Sequence, residues 1–130
     1  MTTNNHRIAY WVTTALVALT MLSGGAANAL QQHDTVAGMA HLGYPPYFVT
    51  ILGIWKLLGG VTLLWPGLPR LKEWAYAGIL FDLTGATISH LAMGDGVRHA
   101  VTPLVIAALA LASWALRPPG RTLAPAGARG

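Results

Sequence analysis

Two apolar runs, 48–65 and 74–93, lie on either side of a short basic turn, and each carries one charge near its middle, Lys56 in the first and Asp82 in the second. Each run has about the length a helix needs to cross the hydrocarbon core of a bilayer. Spans joined by so short a turn run in opposite directions. At 1.5 Å of rise per residue, both charges then lie roughly 12–14 Å from the turn. An ionisable side chain at that depth is costly and marks a functional position by default.

Charge elsewhere is scarce. Of the 130 residues 54% are apolar and only 9% are charged, against about 25% in soluble domains. The charge is missing in blocks, which points to one membrane domain. A net charge of +4 suggests nucleic acid at first sight. The basic residues, however, sit beside apolar runs and form no basic face, so no nucleic-acid partner is expected. The absence of cysteine excludes disulfides, thiol redox chemistry and thiolate metal sites.

Four spans are expected, at about 8–30, 48–65, 74–93 and 100–116, after a short N-terminal segment 1–7. Ala27-Asn28-Ala29 has the form of a signal-peptide cleavage site. The first run exceeds the roughly 7–15 residues of a signal-peptide core, so its retention is expected. Residues 31–47, with Gly43 and Pro45-Pro46, read as a loop. Pro69 is expected at the first position of its helix and Pro103 in the first turn of the last one. The segment 117–130, rich in Pro, Gly, Ala and Arg, is expected to be a disordered tail. With the N-terminus inside, the inner segments hold Arg7, Arg70, Lys72, Arg117, Arg121 and Arg129, and the outer ones only Arg98. That bias places both termini in the cytoplasm, in a plasma (inner) membrane. Tyr10, Trp11, Trp65, Trp74, Tyr76 and Trp114 would form the inner aromatic belt, with Tyr44, Tyr47 and Phe48 at the outer one.

Small residues bring membrane helices together. Gly53, Gly59 and Gly60 share roughly the face of Lys56, and Gly78, Gly85 and Ala86 that of Asp82. The first helix offers 23–27, SGGAA, and the fourth Ala108, Ala112 and Ala115. The expected fold is all-α, an integral membrane antiparallel four-helix bundle. Asp82 and Ser89 share a face with His90 on its edge, and Asn28, Tyr44, Tyr47, Asp95 and His99 should ring an outer mouth. Such a pocket would hold a small amphipathic molecule or pass protons between His90 and Asp82. Equally, Lys56 and Asp82 could pair as a structural clamp, Ser89 could bond back to its own helix, and His90 could be a packing residue. His33, His41, His90 and His99 lack the tight spacing of metal ligands, and no metal site is expected.

Residues 42–48 read LGYPPYF, 52–59 LGIWKLLG, and 69–95 PRLKEWAYAGILFDLTGATISHLAMGD. Over about 8–116 this order of motifs resembles the DoxX-like family of small membrane proteins. The resemblance implies four spans and marks Tyr44, Pro45, Lys56, Glu73, Trp74, Asp82, Ser89 and His90. The family takes its name from a small subunit associated with a quinol oxidase. The chain has no haem-ligand pattern and no nucleotide-binding glycine loop. The expected function is therefore that of a binding or accessory subunit rather than an enzyme. Its central polar site would hold a quinone-like ligand, or the helix of a membrane protein partner or of a second copy. The alternatives are a membrane enzyme using Asp82 and His90 as acid and base, and a small oligomeric transporter or proton path.

Overall fold

A computed structural model describes residues 3–123 of the chain. Five α-helices follow one another: α1 (Thr3–Ala29), α2 (His33–His41), α3 (Pro46–Leu64), α4 (Pro69–Ala92) and α5 (Val97–Ala115). A 3-10 turn at Pro119–Arg121 follows. Among the described residues there is no strand. Three helices, α1, α3 and α5, are long and apolar enough to cross a membrane. At 24 residues α4 has the length, but Asp82, His90 and its hydroxyl side chains make it more polar.

Prolines set two of the starts. Pro46 and Pro69 stand at the first positions of α3 and α4, where a missing N–H costs nothing. Between α3 and α4 the chain reverses through Gly67 and Leu68, both at positive φ. Leu68 at φ 54° is a strained choice for a residue with a side chain. Pro103 lies inside α5, past its first turn, because the helix begins at Val97 and not near residue 100. The His99 carbonyl therefore loses its usual helical donor.

α1 packs along α3, α3 on α4, α4 on α5, and α5 back on α1. The closest approach is between α1 and α3. A Cβ placed on Gly53 would stand 2.4 Å from Ala29 N and 2.8 Å from Gly25 O. One on Gly25 would be 2.9 Å from Gly53 O. These glycines let two backbones touch, as membrane helix pairs require. The α4 glycines behave differently from the expected stripe. A Cβ on Gly78 or Gly85 would meet nothing within 4 Å, so they border open space and not a neighbouring helix. On α5 the buried small residues are Ala100, Ala107, Ala110 and Ser113, while Ala108 and Ala115 face outward. The core gathers Val17, Met21, Leu63, Tyr76, Ile79 and Leu83 around Ala107 and Ala110.

Large apolar side chains cover the outside, among them Leu19, Leu58, Phe81 and Ile88. Trp11, Trp65, Trp74 and Trp114 are exposed, whereas Tyr10 and Tyr76 are buried and belong to no surface belt.

Two segments depart from the sequence reading. Residues 33–41 form a helix where a loop was expected. Residues 117–123 do not hang free as a disordered tail, since Arg121 is buried against α1 and α3. Residues 124–130 lie outside the described residues.

Candidate functional site

Lys56 reaches from the middle of α3 and Asp82 from the middle of α4. The tight seat of α3 on α1 at Gly25 and Gly53 fixes Lys56 beside Gly24, where a Cβ would stand 3.9 Å from Nζ. Ile79 and Leu83, both buried, anchor the turn of α4 that carries Asp82. Lys56 Nζ lies 3.9 Å from Asp82 Oδ2, with the two side chains 20% and 18% exposed. Charge-assisted N–H···O hydrogen bonds run about 2.7–2.9 Å. At the observed separation the pair attracts without sharing a proton, so donor and acceptor capacity is left over.

That capacity faces two adjoining cavities, both bordered by Lys56, Asp82, Met21, Leu52, Trp55 and Gly78. The larger holds about 600 Å³ and extends to the α2 end, where Met39, Leu42, Tyr44 and Phe48 line it. The smaller holds about 290 Å³ and follows the seam between α3 and α4 past Thr62, Leu71 and Trp74.

At the α2 end the other expected residues split into separate groups. Tyr44 Oη and Ser89 Oγ are 2.8 Å apart, and Tyr44 stacks on Phe48. Ser89 thus ties the segment before α3 to α4. Asp95 follows the end of α4, in a turn between Gly94 and Gly96 at positive φ. Its backbone N–H donates to His90 O at 3.0 Å. Its carboxylate takes His90 Nδ1 at 2.7 Å on one oxygen and His41 Nε2 at 2.6 Å on the other. His99 stacks on His90 with ring centroids 5.6 Å apart. The hydrogen bonds from His90 and His41 hold the Asp95 carboxyl below the usual aspartate range.

His90 therefore belongs to this carboxylate–histidine cluster and lines neither cavity with Asp82. The expected outer ring is also only partial. Tyr44 lines the larger cavity, Tyr47 is exposed, and Asp95 and His99 sit in the cluster. Asn28 is 4% exposed at the α1–α3 contact, and its Nδ2 has no partner among the described residues. Nor, among those residues, do three or more His, Asp or Glu converge in a way that could hold a metal ion.

The opposite end carries a polar network that the sequence reading treated as topological charge and loose tail. The last four carbonyls of α3 have no partner within the helix. Here each finds one. Val61 O takes Trp65 N–H, and Thr62 O takes Lys72 Nζ at 2.7 Å. Leu63 O and Leu64 O take the two Nη atoms of Arg121 at 2.8 and 3.2 Å. Lys72 also donates to Trp65 O and is fully buried. Two cations at a helix C-terminus also suit its dipole. Beside them, Ser113 Oγ lies 2.6 Å from both Thr14 Oγ1 and Tyr76 Oη. Glu73 pairs with Arg117 at 2.8 Å and accepts from Trp114 Nε1 at 3.0 Å. One signal was available in the sequence. α3 ends in Thr-Leu-Leu before Trp65 with no basic side chain in its last turn, so a cation for its carbonyls had to come from elsewhere.

No curated protein and no solved structure matches the chain. A family model, that of the DoxX-like family, matches residues 12–113. The match takes in Tyr44, Lys56, Glu73, Asp82, Ser89 and His90, most of the chain and both cavities. With its long apolar helices, the chain is a small membrane protein that belongs to the DoxX-like family.

Proposed function

We propose that the protein is a binding or accessory subunit whose Lys56–Asp82 site takes a quinone-like ligand out of the bilayer. It crosses the membrane four times, with α1, α3, α4 and α5 as an antiparallel bundle and both termini in the cytoplasm. The count of Lys and Arg on the two sides supports that orientation, in a plasma (inner) membrane. α4 is the polar span because Asp82 faces Lys56 and the cavities, and His90 lies close to its end.

One observation carries the reading. Lys56 and Asp82 stand 3.9 Å apart, bordering two cavities. A clamp gains most by closing to hydrogen-bond distance and by satisfying its remaining donors and lone pairs. A head group bearing carbonyl or hydroxyl oxygens supplies the missing partners. The carbonyl of a quinone accepts from the Lys56 ammonium, and the hydroxyl of the reduced form donates to Asp82. The larger cavity, about 600 Å³, is of the size that small-molecule sites have, roughly 300–1,000 Å³. The acid–base alternative ranks behind, because His90 Nδ1 is engaged by Asp95.

Native mass spectrometry of gently extracted protein tests this. Wild type is expected to carry a lipophilic adduct that is missing from the Lys56→Met/Asp82→Leu double variant. A folded double variant that retains the adduct would contradict the reading.

A further inference from the structure

We infer that the seam between α3 and α4 is a groove that holds the hydrocarbon chain of a single-chain lipophile, running from the Lys56–Asp82 head site along the protein surface. The inference rests on the reading of that pair as a ligand site and adds the ligand's shape and its route from the lipid. The floor of the groove is Met21 of α1, only 2% exposed. Its rim is Trp55, Leu58, Leu71 and Trp74, from 45% to 70% exposed. A recess with a buried floor and an exposed apolar rim opens sideways, toward lipid.

Beyond the charged pair and the indole N–H groups of its exposed tryptophan rim, Thr62 is the one polar side chain that lines the groove. The Thr62 hydroxyl donates to Leu58 O at 2.7 Å, and Thr62 O is taken by Lys72. An apolar chain loses nothing by lying there, and burial of each CH₂ contributes about 0.8 kcal/mol. Glycine explains why the space exists. Gly53 and Gly25 are small because two backbones meet. A Cβ on Gly78 would touch nothing within 4 Å, so its bareness leaves room and makes no contact. A partner's helix, about 10–12 Å across with its side chains, does not enter a seam of about 290 Å³ between two packed helices. One alkyl or isoprenoid chain does.

The test compares two probes with the same head, a decyl-substituted benzoquinone and its parent without the chain. Binding is measured to wild type, Gly59→Leu and Lys56→Met in nanodiscs. Gly59 lines the seam and not the larger cavity, and a Cβ there meets only Ile79, at 3.8 Å. Gly59→Leu is expected to weaken the decyl compound roughly tenfold while leaving the parent unchanged. Leu71→Ala and Trp74→Ala, on the exposed rim, should weaken the decyl compound by a smaller factor and spare the parent. Equal loss for both probes in Gly59→Leu, or no loss for either, overturns the groove. The head reading fails separately, through Lys56→Met. If that change leaves both probes bound as before, the pair is not the head site and the groove has no ligand to continue.

Discussion

Lys72 and Arg121 decide how α3 ends. Between them they satisfy the carbonyls of Thr62, Leu63, Leu64 and Trp65. Each buried acceptor left without a donor costs roughly 1–3 kcal/mol. Lys72→Met should therefore lower the unfolding free energy in detergent by about that amount or more, and exposed Arg70→Met should not change it. The central pair predicts the opposite behaviour. Removing one partner of a close, satisfied buried pair costs about 3–5 kcal/mol. Lys56 and Asp82 are 3.9 Å apart and reach partial exposure. A double-mutant cycle with Lys56→Met and Asp82→Leu should give a coupling well below that range. A coupling within it would make the pair a clamp. The sequence exposed Lys56 and Asp82 readily, because a lone charge in an apolar run stands out. Lys72 stayed hidden. A lysine beside a turn at a span boundary reads as a topological signal, and its burial depends on Arg121 and Trp65 folding over it.

Among the elements, α1 and α3 are the most closely packed pair. A side chain at Gly53 would overlap the backbone of Ala29 and Gly25, so Gly53→Leu should abolish monodisperse protein on size-exclusion chromatography. Gly85→Leu, which meets nothing within 4 Å, should elute as wild type. The glycine pattern was legible on α3, but no pattern in α4 told that its glycines face open space. α2 lies at the other extreme. None of its residues is buried, it is flanked by Gln31 and Gly43 at positive φ, and His41 fastens it to Asp95. Nine residues with His33, Asp34 and a following Gly-Tyr-Pro-Pro resemble a loop. Their helix is set by tertiary contacts such as His41–Asp95 that connect residues far apart in sequence. The Asp95 carboxyl is held below its ordinary value of 3.8. Its stabilising contribution is thus fully present above that value and is lost as pH falls through the lower, folded-state one. Protection of the amides of residues 33–42 from exchange, relative to the unfolded chain at the same pH, should therefore hold down to about pH 4 and fall only below it, while Asp95→Asn should be less protected above that pH and match wild type below it.

For the molecule as a whole, the surface decides the medium. Leu58, Trp55, Phe81, Ile88 and Leu19 are each at least 60% exposed, an apolar coat suited to lipid. Helical architecture and family were readable from spans and motifs. The grouping of the polar residues was not, because it depends on how the helices turn about their axes and on the return of the C-terminal segment. His90 therefore pairs with Asp95 and not with the cavity of Asp82. The proposed topology predicts that alkaline phosphatase fused after Leu116 is inactive and that a fusion at Gln32 is active. The proposed ligand site is tested most directly by binding of the decyl-substituted benzoquinone to wild type, Lys56→Met, Asp82→Asn and the double variant. Each single change is expected to weaken binding roughly tenfold, with the double no worse than the product of the two. Undiminished binding in all three folded variants would contradict a ligand site at Lys56 and Asp82.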